Sequence, residues 1–256
     1  APKHTTKEDV IKGHHAGLCA KPLHGKFFVQ QGNIPQVDLD RSHQWLRRAN
    51  LRAETEATIC AAQEQALATN FIRKHIFKQD VNPICRLCCK ENETVSHIVS
   101  GCELLAGTKY TARHNQVCKY LHWCMLQDHQ LPVTPNWHQH APQAATRIRD
   151  KLTLMYDMTQ EVDGAEGGNR PDIVLLDERE EELGKCALLI DVTIPMDINM
   201  IKAAAEKYKK YRDLEISLKQ NWEVCKIQTI PIVVGAFGTV GKICTYYMKQ
   251  VSPHIR

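Results

Sequence analysis

No stretch of this sequence approaches the ~18 consecutive apolar residues of a membrane-crossing helix, so no membrane partner is expected. The opening residues, APKHTTKEDVIKGHH, lack the apolar middle of a secretory signal. They also lack a methionine and read as the start of a piece of something longer. There is no internal repeat and no low-complexity tract, which argues against a solenoid or a compositionally biased linker. A strong charge of one sign is missing too. The net charge is +4, from 33 basic and 29 acidic residues, and alone it indicates only a solvated, mixed surface. The glycines of GAFGTVG (235–241) lack the G-x-G-x-x-G arrangement and read as a turn rather than a nucleotide site.

What is present is ordinary globular composition: 256 residues, 43% hydrophobic and 24% charged, enough for one large domain or two smaller ones. The 11 cysteines are odd in number and irregular in spacing apart from one cluster, which fits a reduced, intracellular protein better than a disulfide scaffold. The basic excess lies early. Residues 1–80 carry 12 basic and 8 acidic residues, whereas 131–256 carry 16 and 17.

Three regions are expected. Residues 1–80 begin irregular, with room for one short helix, and turn helical from Ser42 to Lys78, with Thr55 and Thr58 as local breaks. Residues 81–130 hold the cysteine cluster and a second helix over about 108–129. The proline-rich LPVTPNWHQHAP (131–142) joins these to a last region, 131–256, with a different grammar. There KLTLMYDM, DIVLLD and CALLIDVTI read as strands, GAEGGN as a turn, 200–222 as a helix, CKIQTIPIVVGAFGTV as a last buried strand ending in glycines and GKICTYYMKQV as a closing helix. This is an α/β order, and the fully apolar runs imply a sheet covered on both faces.

Cys85 and Cys88 are two residues apart, His97 follows after eight more, and Cys102 after a further four. Three thiols and an imidazole within 18 residues suit a tetrahedral, structural Zn²⁺ with no open coordination position. Two aspartates are harder to place. Asp172 stands at the mouth of one apolar run and Asp191 inside the next, where an unpaired carboxylate costs several kcal/mol. One reading makes Asp172 a turn-initiating residue and Asp191 a carboxylate paired with Lys or Arg. The other lets both share Mg²⁺ near the ends of neighbouring strands, with a lysine completing a phosphoryl-cleaving site. Thr193 occupies the place, two after Asp191, where such a lysine often stands. Lys207 and Lys210 on the next helix can reach in instead.

Pro171-Asp172, Asp191-x-Thr-x-Pro195 and the following AAAEKYKKYRDLE together resemble the restriction-enzyme-like endonuclease of non-LTR (LINE-type) retrotransposon proteins, a branch of the PD-(D/E)xK nuclease superfamily. The order of parts is similar as well: a Cys-Cys-His-Cys knuckle, then an Arg-His segment (here Arg113 and His114), then the nuclease. The resemblance covers roughly residues 42–245. It implies a mostly helical N-terminal part with a zinc knuckle, then a mixed sheet flanked by helices. It implies that Asp172 and Asp191 hold catalytic Mg²⁺ or Mn²⁺ and that the catalytic lysine has moved to the helix. Lys207 is preferred because Tyr211, four residues on, shares its helical face and matches the family's Lys…Tyr pattern; Lys210 is the rival. Arg113, His114 and Arg170 would lie near DNA phosphates, with Asp157 and Glu161 as further acidic candidates.

The 18 residues between Asp172 and Asp191 exceed the spacing of the best-matched site-specific members, and EREEELG fits a longer hairpin loop. The activity implied is nicking of target DNA to leave a 3′-OH that primes reverse transcription, in a nuclear setting. The element RNA would be a partner through the parent protein, whose reverse transcriptase is expected upstream. This chain has no F/Y-x-D-D motif, and no polymerase activity is expected of it. A nucleic-acid-binding remnant that no longer cuts is the alternative. His14, His15, His24, His138 and His140 lie in loop-like sequence and read as surface residues, and Trp45, Trp123 and Trp222 read as packing residues.

Overall fold

The computed structural model describes residues 6–21, 25–149, 151–160, 170–178 and 185–252. The chain is mixed α/β and divides into two units, Ala1–Cys102 with Phe237–Thr239, and Glu103–Ala236 with Val240–Arg256. The division at Cys102 places the Arg-His helix with the sheet and the cysteine cluster with the N-terminal part, whereas the sequence reading grouped them in 81–130. No helix among the described residues is long and apolar enough to cross a membrane.

The first unit is helical: α1 (Lys7–Ala20), α2 (Lys26–Gly32), α3 (Leu39–Ser42), α4 (Trp45–Arg48), α5 (Ala53–Gln63) and α6 (Asn70–His75). The N-terminal segment is thus more regular than its composition suggests. Thr6 and Asp9 form a capping box that starts α1: the Thr6 hydroxyl accepts from the Asp9 N–H, and the Asp9 carboxylate accepts from the Thr6 N–H at 2.9 Å. The helical stretch from Ser42 is broken elsewhere than at its threonines. Thr58 lies within α5, its hydroxyl donating to the Glu54 carbonyl at 2.7 Å. The breaks come at Asn50 (φ 47°) and Gln65 (φ 57°), which take the left-handed conformation that ends a helix. Buried Gln63 donates to the Phe237 carbonyl at 2.8 Å, tying that returning segment into this unit.

The second unit holds α7 (Glu103–Leu105), α8 (Thr111–Asp128), β1 (Ala145–Arg149), β2 (Leu152–Tyr156), β3 (Ile173–Asp177), β4 (Cys186–Thr193), α9 (Met200–Asn221), β5 (Lys226–Val233) and α10 (Lys242–Val251). The sheet order is β1-β2-β3-β4-β5. The first four strands form an antiparallel meander, and β5 joins β4 in parallel after the α9 crossover. Pro231 lies on β5, an edge strand, where its missing N–H is tolerated. Strand β1 was not expected, α9 falls where the sequence places it, and β5 starts as expected but ends at Val233, before the glycines. The turn read at GAEGGN and most of the acidic β3–β4 connection lie outside the described residues.

Side chains alternate across the sheet. Leu154, Ile173, Ile190, Val192, Ile230 and Ile232 belong to one core cluster with α8 and α10. Val174 and Leu189 belong to another with Tyr211, Leu214 and Leu218 of α9. Both faces are therefore covered, which is why these strands read as unbroken apolar runs. Trp123 and Trp222 pack against these two clusters respectively. His140, unlike His138, is buried: its ring stacks on that of His122, with the facing nitrogens 2.8 Å apart.

Leu189 is fully buried between β4 and α9. Leu189→Ala should lower the free energy of opening measured by hydrogen exchange at β3, β4 and α9 amides by about 2–5 kcal/mol. A loss below about 1 kcal/mol would contradict this packing.

Candidate functional site

In the first unit, an isolated bridge between Ile84 and Asn92 brackets a tight turn. The Cys85 N–H donates to the Glu91 carbonyl at 2.7 Å, and the Leu87 N–H points at Cys85 Sγ, 3.4 Å away. Cys89, at φ 55°, completes the turn and is exposed, so it stands apart from the cluster. His97 opens a single wide helical turn, His97–Gly101, that ends at Cys102. The turn and the helical segment bring Cys85, Cys88, His97 and Cys102 together, with one ligand atom from each within 4.8 Å of all the others. Cys85 and Cys102 are buried, and Cys88 Sγ lies 3.3 Å from His97 Nε2. Backbone N–H groups of Glu91 and Lys90 hold the Cys88 thiol down at about 6, so it is largely thiolate at neutral pH. These four residues can hold a metal ion, and the soft donor set fits that use.

Glu93 braces the turn, and the sequence reading missed it. Its buried carboxylate accepts two bonds from the Arg86 guanidinium, both at 2.9 Å, one from the Arg86 N–H at 3.0 Å and one from the Asn70 N–H at 2.9 Å. An acid between two cysteines of a knuckle and seven residues after an arginine is a weak signal, legible only once the turn is known.

In the second unit the two aspartates stand at the same end of the sheet. The β3–β4 register pairs Ile173 with Ile190, and Asp172 and Asp191 are the next residues outward on each strand. Asp191 follows Leu189 on the α9 face and is 2% exposed. Fully buried Tyr211 donates its hydroxyl to Asp191 Oδ1. Lys207 Nζ lies 2.6 Å from Asp191 Oδ2, yet off the hydrogen-bond direction, so this oxygen is held by charge without an aligned donor. Lys210 Nζ stands 3.8 Å from Oδ1 and donates to the Tyr211 hydroxyl at 2.8 Å. Burial and the Asp191 carboxylate push the Tyr211 phenol far up, so it stays a protonated donor. Both lysines considered from the sequence thus reach Asp191, along with Tyr211.

Asp172 turns toward α8. Its Oδ2 accepts from the Val192 N–H at 2.7 Å and lies 3.1 Å from His114 Nε2. Hydrogen bonding to Asp172, helped by Cys118, pushes His114 up to about 11, so it is an imidazolium at neutral pH. Among the described residues, the ligand atoms that gather around Asp172 are those of His114 and Cys118, and that group does not include Asp191. Cys118 was another residue missed, although its place four after His114 on a helix was the available signal.

The remaining candidates have protein partners. Arg170 donates to Asp157 through Nη2 at 2.7 Å, and its carbonyl lies 3.2 Å from the Tyr211 hydroxyl. Asp157 is therefore engaged by Arg170, and its N–H donates to the Asp172 carbonyl at 2.8 Å. Arg113 is half-buried, its guanidinium 5.3 Å from the centre of the Tyr110 ring; burial lowers its pKa, with Tyr110 and Asp197 opposing. Glu161 lies outside the described residues.

Burial alone would raise the Glu93 pKa, but bonds from Arg86 and Asn70 outweigh it and hold the group below its ordinary value. A depressed folded pKa adds stability that is fully present above the unfolded value, about 4.3, and is lost as pH falls through the folded one. The urea midpoint of the first unit should fall across that window, and the parent-minus-variant difference should shrink there for Glu93→Gln. Parallel pH profiles for the two proteins would contradict the assignment.

Compared with protein-family models and with curated protein sequences, the chain finds no match.

Proposed function

We propose that this chain is a divalent-metal-dependent DNA endonuclease that nicks target DNA and exposes a 3′-OH for target-primed reverse transcription. The observation that carries the reading is the set of groups on Asp191: a buried strand carboxylate at the sheet end, beside Asp172, met by Lys207 and Tyr211 from the crossover helix. Asp172 and Asp191 would hold Mg²⁺ or Mn²⁺, hard cations that take carboxylate oxygens, and Asp191 Oδ2 is a buried oxygen without an aligned donor. Such an ion supplies an activated water and charge stabilisation for phosphodiester hydrolysis.

The chain's own residues do the rest. Lys207 keeps a positive charge beside Asp191, where negative charge would build on a bound phosphate. Tyr211 fixes the Asp191 carboxylate, and Lys210 fixes Tyr211. His114 places positive charge at Asp172, with Arg113 next to it on α8, while Arg170, two residues before Asp172, is paired with Asp157. The Cys85, Cys88, His97 and Cys102 cluster would hold a structural Zn²⁺, with four protein ligands and no open position. Resemblance to the restriction-like region of non-LTR retrotransposon proteins supports the same reading. It adds DNA as target, element RNA as a partner through a longer parent protein with an upstream reverse transcriptase, and a nuclear location.

A second reading has an observation of its own. Both aspartates are already compensated by this chain's cations, Asp172 by His114 and Asp191 by two lysines. That arrangement suits a retrotransposon-derived binding module that holds nucleic acid without cutting it.

Cleavage of supercoiled plasmid with Mg²⁺ or Mn²⁺ separates the two. The parent chain should nick, Asp191→Ala should fall to background, and Lys207→Ala should lose at least ~10²-fold. Lys210→Ala should lose less, because its Nζ is 3.8 Å from the carboxylate. Salt-sensitive DNA binding without nicking by the folded parent would favour the binding module.

A further inference from the structure

A second group of metal-ligating atoms lies in the sheet-containing unit, apart in sequence from the four-residue cluster. We propose that His114, Cys118 and Asp172 form an inhibitory site for Zn²⁺ or a similar borderline cation. Occupation of this site holds Asp172 on α8 and keeps it from sharing an ion with Asp191; this regulatory half rests on the nuclease reading, whereas the binding half does not.

His114 and Cys118 are one helical turn apart on α8, so both side chains leave the same face. Asp172 comes to them from the start of β3. Cys118 Sγ lies 3.8 Å from His114 Nε2, Asp172 Oδ2 lies 3.1 Å from the same nitrogen, and one ligand atom from each residue lies within 4.8 Å of the other two. Around a tetrahedral Zn²⁺ with bonds of roughly 2.0 Å to N or O and 2.3 Å to S, neighbouring donors stand roughly 3.3–3.6 Å apart. The three atoms are thus within a few tenths of an ångström of those separations along the two measured edges.

The surroundings fit as well. His114 Nδ1 lies 3.1 Å from Asn115 Oδ1, an acceptor that fixes the ring and leaves Nε2 as the ligating atom. Nε2 meets Asp172 Oδ2 and the Val192 carbonyl, each at 3.1 Å, and Cys118 Sγ stands beside the ring, 3.8 Å from Nε2 and 3.7 Å from Nδ1. In the ion-free chain a proton on Nε2 meets them, and a metal ion would take that proton's place. Cys118 is buried at the back of the group, while the His114 and Asp172 side chains are 30% and 18% exposed and leave a way in. The thiolate, imidazole and carboxylate set favours Zn²⁺ over Mg²⁺, which prefers oxygen alone.

The test counts metal first. The 256-residue chain dialysed against Zn²⁺ should retain about two equivalents, and Cys118→Ser and His114→Gln about one each. Loading with Co²⁺ should leave the thiolate-to-metal absorption of the Cys85–Cys102 cluster intact in both variants, and unchanged hydrogen-exchange protection of β3, β4 and α9 shows that their second unit is folded. Variants that keep the parent's metal content, or a parent that binds a single ion, would overturn the site. Inhibition is read separately. Zn²⁺ added beyond the first equivalent should cut the parent's Mg²⁺-supported nicking at least tenfold, while Cys118→Ser keeps most of its own Mg²⁺-only rate. Equal inhibition of both proteins would overturn the regulatory half. A chain that never nicks, yet drops from two ions to one in the variants, would sink the nuclease reading and leave the site standing.

Discussion

The second unit is organised around a carboxylate in an expensive place. Asp191 sits within β4 on the face that packs against α9, in the same row as Leu189. Left unpaired it would cost several kcal/mol, so the structure depends on what α9 brings to it. Lys207 and Tyr211 are four residues apart on that helix, and Leu214 and Leu218 continue the same face into the apolar cluster. One stripe of α9 therefore does two jobs. Its far part buries leucines against Val174 and Leu189, and its near part supplies the charge and hydroxyl that Asp191 requires. Removing one partner of such a buried pair typically costs about 3–5 kcal/mol, which ties the position of α9 to one side chain of β4.

The same logic shapes the other aspartate in a different way. Asp172 lies just outside the last β3–β4 pair, and its carboxylate accepts the Val192 N–H that the shorter strand would otherwise leave unmet. It is also tied to α8 through His114. The two carboxylates thus start from adjacent strand ends and lean toward opposite helices, each toward a cation of its own. This explains how the sheet tolerates them without an ion, and it frames the competition that a divalent cation enters. The four-residue cysteine and histidine cluster of the first unit rests on a different principle: soft donors fixed by a turn whose brace is the Arg86–Glu93 pair.

Much of this was legible beforehand because it rests on local pattern. The apolar runs of β3, β4 and β5, the long α9 and the spacing of Cys85, Cys88, His97 and Cys102 all carry their signals within a few residues. Lys207, Lys210 and Tyr211 were readable as a helical face, and the structure brings all three to Asp191. Long-range pairing was not legible. Nothing near Asp172 indicates that His114, 58 residues earlier, meets its carboxylate, and Arg170 reaches back 13 residues to Asp157. α1 was underread because its polar, histidine-rich face buries nothing, although the Thr6–Asp9 capping box was present in the sequence. β1 was missed for a related reason: ATRIR is an edge strand of mostly polar residues.

If Asp172 and Asp191 jointly serve a divalent cation, with Lys207 beside them, anomalous diffraction from crystals of the 256-residue chain equilibrated with Mn²⁺ should show it. A manganese peak should lie between both carboxylates, with Lys207 Nζ moved off Asp191 Oδ2 to make room. Saturating Mn²⁺ with no peak there, and Lys207 still on Asp191, would contradict it and leave the aspartates as structural ion pairs.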